Sequence, residues 1–319
     1  MPVLPRSRRV AALLCAVLAL APALPVAAQR QSRPVERTDA ALQAKVEAAV
    51  AGFRGVVGVY ARHLKTGRTV ALRADDTFPT ASLIKVPLLV ALYDAVERGD
   101  LDLHQPLTWA DSLKYPGEDI LGSFRDGETV ALSKVAMLMI TTSDNTGALW
   151  IQQLVGTGTR VNAWLEANGF QVTRVNSRTP GREQERSRWG WGQTTPREMA
   201  ELVVRIRQGK AVSPAADEEM YRALTRVYWN GEALSALPPW VQAASKQGAV
   251  DRSRSEVVLV NAPSGDYVFA VITKEQADTT YEEHNEGFVL LRTLSGIFWN
   301  HFEPKHPWSP AAGAARLKP

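Results

Sequence analysis

Two residues of the segment Pro79-Thr-Ala-Ser-Leu-Ile-Lys85 could carry out nucleophilic chemistry together. Ser82 and Lys85 are three positions apart, which places both side chains on one face of a helix. Residues 83–96 are almost all apolar, as is typical of a buried helix. Burial lowers the pKa of a lysine, and a neutral lysine can remove the proton of a serine hydroxyl. The alternative is a helix-capping serine beside a lysine whose charge reaches solvent, but no other serine of the sequence has a lysine three positions on.

Two further segments combine hydroxyl, amide and amine groups. Ser143-Asp-Asn145 lies between two helical stretches, and Ser245-Lys-Gln-Gly-Ala249 lies at the start of a predicted strand. Each has a purely structural alternative. Ser-Asp-Asn is a good N-cap for the helix that follows, and a lysine beside a glycine is common in edge strands.

The elements that must position these residues follow from hydrophobic periodicity. Strands are predicted at 56–63, 69–73, 256–261 and 267–273, and they form two hairpins by their β-branched runs and central turns. Helices are predicted at 38–53, 81–98, 132–142, 146–155, 161–168, 196–208 and 283–302. We therefore predict an α+β fold. Both ends of the chain form one antiparallel sheet packed with helices, and an all-helical subdomain at about 80–225 is inserted between them.

The composition indicates an exported chain. Residues 1–28 have the basic, apolar and small-residue order of a signal peptide, and the apolar run is too short to span a membrane. They contain Cys15, the only cysteine, and three arginines that account for most of the net charge of +4. Neither a disulfide nor nucleic-acid binding is expected of the remainder. The predicted organisation is a signal peptide at 1–28, a catalytic domain at 29–303 and a disordered tail at 304–319.

The three segments, in this order, resemble the motif set of the class A β-lactamases and their penicillin-binding-protein relatives. The resemblance covers roughly residues 40–302 and implies a β-lactamase/transpeptidase-like fold. It implies that Ser82 attacks a carbonyl with Lys85 as base, while Ser143 relays a proton to the leaving nitrogen and Asn145 holds the substrate amide. The oxyanion hole would consist of the backbone N–H groups of Ser82 and Ala249.

The same resemblance assigns the substrate-binding strand. Lys246 supplies positive charge, and Lys246-Gln-Gly248 replaces the family's Lys-Thr-Gly, so that an amide stands where a hydroxyl usually meets the substrate carboxylate. A literal Lys-Thr-Gly at 65–67 precedes the serine, and we interpret it as a hairpin turn. Arg254, and less favourably Arg252, lies where the family often has a carboxylate-binding arginine. The alternative for either arginine is a surface ion pair.

One loop decides how fast an acyl-serine would be hydrolysed. In the family, a glutamate before a Thr-Thr-Pro helix start activates the water. Here Thr194-Thr-Pro196 matches that ending. Thr179 occupies the position of the family's glutamate, and Glu183 lies four residues after Thr179. Glu183 is therefore the candidate base, on a loop that we expect Trp189 and Trp191 to anchor. The alternative is a solvated loop on which the acids pair with neighbouring arginines.

The predicted function is that of a serine β-lactamase-type hydrolase, which opens a cyclic amide through an acyl-serine without metal or organic cofactor. The predicted partner is a small β-lactam or a peptidoglycan stem peptide, and no nucleic acid, stable membrane insertion or oligomer is expected. The alternatives are a D-Ala-D-Ala peptidase or slow penicillin-binding protein of the same fold, and a noncatalytic peptidoglycan-binding module. Other hydrolase signatures, such as G-x-S-x-G or H-E-x-x-H, do not occur.

Overall fold

A computed structural model describes Met1, residues 35–117 and residues 119–314. Apart from Met1, the predicted signal peptide lies outside the described residues, as do the last five residues of the predicted tail.

The strands predicted near both ends of the chain meet in one sheet. The strands are β1 (Arg37–Thr38), β2 (Val56–His63), β3 (Arg68–Leu72), β4 (Phe78–Pro79), β5 (Pro106–Thr108), β6 (Thr129–Ala131), β7 (Arg174–Val175), β8 (Gly192–Thr194), β9 (Ala243–Val250), β10 (Ser253–Val260) and β11 (Tyr267–Lys274). Six of them form the large sheet in the order β1-β3-β2-β11-β10-β9. All neighbours are antiparallel except β1 and β3. Strand β9, which carries the Lys-Gln-Gly segment, is an edge strand of this sheet.

Helices cover the sheet, and between β3 and β9 they alternate with the short strands β4 to β8. They are α1 (Ala40–Val50), α2 (Lys85–Glu97), α3 (Leu132–Thr141), α4 (Asn145–Leu154), α5 (Thr157–Ala167), α6 (Glu183–Trp189), α7 (Pro196–Arg207), α8 (Pro214–Leu224) and α9 (Glu286–Phe302). Short 3-10 helices lie at Ala81–Ile84, Asp111–Leu113, Leu121–Ser123 and Ala233–Ala236. Helices α6 and α8 were not predicted from the sequence. Helix α8 has recognisable start signals, since the Ser213 hydroxyl caps it and Pro214 follows.

The sheet is buried on both faces. In β11, Val268, Ala270 and Ile272 pack into the core beneath α2 and α7, whereas the alternating residues Phe269 and Val271 pack against the α1 and α9 side. This two-residue alternation is what a strand between two helical layers requires. The result is three layers, with the edge of β9 left to meet the segment that contains Ser82.

The start of α2 explains how the chain accommodates Pro87. The α-helix begins at Lys85, after the 3-10 turn that contains Ser82, so Pro87 lies in the first helical turn. Backbone N–H groups in a first turn have no intrahelical acceptor, so the missing donor of proline costs little there. The kink expected of a proline in a helix interior is therefore not required.

The described part of the predicted tail contacts the body of the protein. The Trp308 backbone N–H donates to Asn300 Oδ1 at 3.0 Å, and its carbonyl accepts from Asn300 Nδ2 at 3.1 Å. The Trp308 ring meets the Trp240 ring edge to face at 6.5 Å. Residues 304–314 therefore lie against α9 and the segment before β9.

None of the helices in the described ranges is long and apolar enough to cross a bilayer.

Candidate active site

Ser82 lies in a short 3-10 turn whose entry is conformationally unusual. Ala81 has a φ of 44°, in the left-handed region that non-glycine residues rarely adopt. Such a conformation costs about 1–3 kcal/mol and persists where surrounding packing enforces it, often at functional sites. The turn ends at Lys85, where α2 begins, so Ser82 and Lys85 face the same side as the sequence predicts.

Lys85 connects three functional side chains. Its Nζ lies 3.2 Å from Ser82 Oγ and 3.0 Å from Ser143 Oγ, and it donates to Asn145 Oδ1 at 2.7 Å. It also donates to the Ser143 backbone carbonyl. The side chain is 0% exposed, which removes the alternative of a lysine whose charge reaches solvent.

The electrostatic setting of Lys85 favours a neutral amine. Burial lowers its pKa to about 7, although the carboxylates of Asp119 and Asp144 act in the opposite direction. Near neutral pH a substantial fraction of Lys85 is therefore unprotonated. At 3.2 Å, a neutral amine can accept the proton of the Ser82 hydroxyl.

A strained turn between α3 and α4 holds Ser143 toward Lys85 and Lys246. Its φ is 62°, again in the left-handed region. The next residue, Asp144, is 2% exposed, and its carboxylate caps α4 at Gly147 N and accepts from Leu121 N. The capping alternative for this motif is therefore real for Asp144, while Ser143 and Asn145 remain free to face the site.

Lys246 reaches the same hydroxyl from the sheet. Its Nζ lies 3.0 Å from Ser143 Oγ and donates to the Gln247 carbonyl at 2.9 Å and to Gln247 Oε1 at 2.7 Å. Burial, and the nearby charge of Lys85, hold the pKa of Lys246 well below that of an ordinary lysine. Because its side-chain oxygen contacts Lys246, Gln247 presents its amide N–H group as the remaining donor.

Gly248 is needed because β9 passes very close to the serine turn. A Cβ on Gly248 would lie 2.9 Å from Ser82 N and 2.8 Å from the Thr80 carbonyl. Ser255 Oγ, on the neighbouring strand, donates to the Gly248 carbonyl at 3.2 Å. Backbone groups of β9 and of the serine turn are thereby held side by side, as a pair of N–H donors for an oxyanion requires.

Two cavities open on either side of Ser82. One, of about 740 Å³, extends toward α6 and the end of β11, and the other, of about 550 Å³, extends over Ser143 toward the start of α9. Ser82, Asn145 and Ala249 line both. Volumes of this size are typical of small-molecule sites.

The structure does not bring Glu183 to this centre. Glu183 is exposed at the start of α6, and its Oε1 accepts from the Gly181 backbone N–H at 3.1 Å. Thr179 is 7% exposed and turns inward, and its Oγ1 would lie 1.8 Å from a Cβ on Gly158 of α5. The loop instead presents the other end of α6, where Arg188, Trp189 and Trp191 line the larger cavity.

Arg254 is likewise set apart from both cavities. It is 0% exposed, and its guanidinium donates to backbone carbonyls of Val250, Ser253 and Thr280. The Tyr281 and Phe288 rings cover it at 4.5 and 4.7 Å. In the pairing of β10 with β9, Arg254 lies opposite Ala249, and this register places its side chain beneath the two rings. The arginine that lines the smaller cavity is Arg292 of α9, which sequence reasoning missed.

Asp119 was also missed, because it lies in an irregular segment without a motif. Its Oδ2 accepts from the Thr146 N–H at 2.8 Å and from Thr146 Oγ1 at 2.9 Å, and it lines the smaller cavity beside Ser82.

Among the residues that the structure describes, no group of three or more His, Cys, Asp and Glu side chains is arranged to hold a metal ion.

This geometry can be compared with known proteins. The sequence profile of the "Beta-lactamase enzyme family" matches residues 41–302. The chain belongs to the β-lactamase enzyme family. The predicted likeness to class A β-lactamases is confirmed, as are the predicted α+β fold and the predicted serine hydrolase of β-lactamase type.

Most of the chain is similar to individual β-lactamases and to a related protein. Beta-lactamase VEB-1 of Pseudomonas aeruginosa is 23% identical over 278 residues, which cover 82% of this chain and 90% of that protein. PBP-A is 28% identical to this chain, with a TM-score of 0.77. The match covers 86% of this chain and 100% of the PBP-A chain. A mutant of PBP-A has been solved as an acyl-enzyme complex with penicillin G. The β-lactamase of Sphaerobacter thermophilus is 25% identical with a TM-score of 0.73, covering 84% of this chain and 99% of its own.

Proposed function

We propose that this protein opens the amide bond of a β-lactam by acylation of Ser82. One observation carries the proposal. The fully buried Lys85 places its Nζ 3.2 Å from Ser82 Oγ and 3.0 Å from Ser143 Oγ. A nucleophile activated by a desolvated amine does not need histidine.

The proton path follows from these distances. Neutral Lys85 takes the proton of Ser82 as the serine oxygen bonds to the carbonyl carbon, and the oxyanion accepts from the N–H groups of Ser82 and Ala249. Ser143, which contacts both Lys85 and Lys246, gives its proton to the leaving nitrogen as the carbon–nitrogen bond breaks. Lys85 then returns a proton to Ser143, so that the acyl-serine and the free amine are the balanced products of the first step.

Substrate binding is assigned to side chains around this path. Asn145 orients the substrate amide, and Gln247 lines the cavity on the leaving side, where Lys246 contacts both Ser143 and Gln247. The role of Arg254 as a carboxylate-binding group remains a prediction, and its complete burial favours an indirect role beneath Tyr281 and Phe288.

A second candidate, a penicillin-binding protein or D-Ala-D-Ala peptidase that releases its acyl group slowly, has one observation in its favour. Among the described residues, no carboxylate from the loop at 174–194 lines either cavity beside Ser82. Glu183 as the water-activating base therefore remains a prediction. A positioned general base contributes about 10²–10⁴-fold, which is enough to separate turnover from a stalled acyl-enzyme.

The site of action is proposed to be the periplasm or the exterior. The basic, apolar and small-residue order of residues 1–28 supports export, followed by action as a monomer on a small β-lactam or a peptidoglycan stem peptide. Determining the N-terminal sequence of the protein recovered from the cell exterior tests this. An unprocessed N-terminus confined to the cytoplasm would contradict it.

The central experiment mixes the protein with a chromogenic cephalosporin and follows absorbance and intact mass together. Sustained turnover supports the β-lactamase, and a stoichiometric burst with a lasting adduct supports the slow penicillin binder. If neither absorbance nor mass changes, both enzymatic proposals are wrong and a noncatalytic binding module remains.

A further inference from the structure

The larger cavity beside Ser82 carries an excess of positive charge. Among the described residues that line it, three are cationic, namely Arg188, Arg252 and Lys274, and one is acidic, Glu275. They come from three separate parts of the chain, which are the end of α6, the hairpin between β9 and β10, and the end of β11.

The part of the chain that the structure describes provides no ion-pair partner for these three cations. Arg188 lies over the Trp189 ring at 4.8 Å, and Arg252 donates to the Glu275 backbone carbonyl at 3.2 Å. Lys274 Nζ donates to the Thr77 carbonyl at 2.9 Å and lies 4.6 Å from the Phe78 ring. Within 35–117 and 119–314, none of the three cations forms an ion pair. The positive electrostatic potential of these three side chains therefore extends into the cavity.

Aromatic rings form the other part of this lining. Tyr115 and Trp191 meet edge to face at 5.2 Å, and Trp189 lies beside them in the cavity wall. The lining thus combines flat apolar surfaces with cations, which suits an aromatic group that carries a negative charge.

The position of Ser143 decides which part of a substrate enters this cavity. Ser143 lines the smaller cavity, and in the proposed mechanism it protonates the leaving nitrogen. The leaving group therefore lies on the Ser143 side, and the acyl group extends into the larger cavity along Ala249 and Val250 of β9. This step rests on the proposed function.

The smaller cavity has the opposite balance among its lining residues. Asp119, Glu232 and Glu283 line it together with a single arginine, Arg292. Of the two cavities, only the larger one therefore has an excess of cationic side chains among its described lining residues.

We infer that the side chains of Arg188, Arg252 and Lys274 make the protein select substrates whose acyl group carries an aromatic ring and an anionic substituent. Arg188 and Arg252 are exposed specificity residues that are not required for acylation itself.

Three penicillins with the same nucleus and phenyl ring provide a matched test. Their acyl groups are phenylacetyl, α-carboxyphenylacetyl and α-aminophenylacetyl, which differ in charge at one carbon. The rate constant for acylation of Ser82 is measured for each by competition with a fluorescent penicillin and by intact mass. We expect the carboxylate to react fastest and the amine slowest. Because interactions between exposed charges are screened by salt, the difference should shrink as ionic strength rises.

Two variants locate the effect. Arg252→Gln and Arg188→Gln should each reduce the rate ratio of carboxylate to amine by about threefold, as expected for one exposed charge. Arg222→Gln is the control, since Arg222 lies on α8 with a 54% exposed side chain and pairs with Glu218 outside both cavities. It changes the net charge by the same amount and should leave the ratio unchanged.

The outcomes separate this inference from the proposed function. If none of the penicillins acylates Ser82, the proposed function is wrong. If all three acylate it at rates that do not depend on the acyl charge or on salt, the charge selection is wrong and the proposed function stands. Equal loss of the ratio in Arg222→Gln would also contradict the inference, because the effect would then be one of net charge.

Discussion

The side-chain nitrogen of Lys85, a residue with no exposure to solvent, lies 3.2 Å from the hydroxyl oxygen of Ser82. The pair is local in sequence, but its chemistry depends on neighbours from elsewhere. Asp119 and Asp144 partly oppose the effect of burial on the pKa of Lys85, which falls to about 7. A pKa near neutral lets one amine accept a proton and give it back within the same reaction.

Ser82 should be the only residue acylated. Replacing it, as Ser82→Ala, removes the nucleophile while leaving Lys85 and Ser143 in place, so we expect no covalent adduct with a penicillin by intact mass. Ser187→Ala, at an exposed position of α6, is the control and should be acylated normally. A stable adduct on Ser82→Ala would show that another group is the nucleophile.

Acylation should depend on pH through Lys85. Below its pKa of about 7, Lys85 is protonated and cannot accept the Ser82 proton, so the rate should fall about tenfold per pH unit and reach a plateau above neutrality. The groups that face Lys85 are Lys246, whose own pKa is lowered, and the two carboxylates of Asp119 and Asp144.

Stopped-flow acylation at a series of pH values measures this dependence. Lys85→Met should lower the plateau by about 10²-fold or more, the contribution typical of a positioned base. A rate that is flat from pH 5.5 to 8.5, or a variant as fast as the parent, would exclude Lys85 as the base.

Gly248→Ala should impair acylation without unfolding the protein. The added methyl group would lie 2.8–2.9 Å from backbone atoms of Thr80 and Ser82, so β9 or the serine turn must shift. Because this displaces the paired N–H donors, we expect a loss of about 10²-fold in the acylation rate, similar to the loss of an oxyanion donor.

Gly296→Ala serves as the control for that substitution. A Cβ there meets nothing within 4 Å, and the position lies within α9, so the change should raise stability by up to about 1 kcal/mol and leave acylation unaltered. Thermal unfolding and acylation are measured on both variants. Normal acylation by Gly248→Ala would mean that the strand does not constrain Ser82.

Glu183→Gln tests the water-activating base. Since the Glu183 carboxylate is exposed and accepts from Gly181 N, the alternative of a solvated loop predicts a deacylation rate within about twofold of the parent, as for most surface substitutions. Glu219→Gln, on the exposed side of α8, is the control. A large fall in deacylation, with an acyl-enzyme that accumulates in Glu183→Gln alone, would establish Glu183 as the base despite its position.

Much of the fold could be predicted because its signals are local. The β-branched runs in β2 and β11 and the turns between paired strands predicted both hairpins, and the periodicity of the long helices placed most of them within a few residues. Helix α6 was missed because its seven residues, Glu183–Trp189, are too few and too polar to show a periodic pattern.

By itself, the sequence determined the pairing of Ser82 with Lys85 and their likeness to the β-lactamase family, because spacing along one helical segment fixes which side chains share a face. Tertiary structure alone decided that Lys246 meets Ser143, 103 residues away, that Arg254 is covered by two rings, and that α6 turns Arg188 rather than Glu183 toward the larger cavity. The physical reason is that contacts between distant segments depend on how strands and helices pack against one another. No single stretch of sequence contains that information.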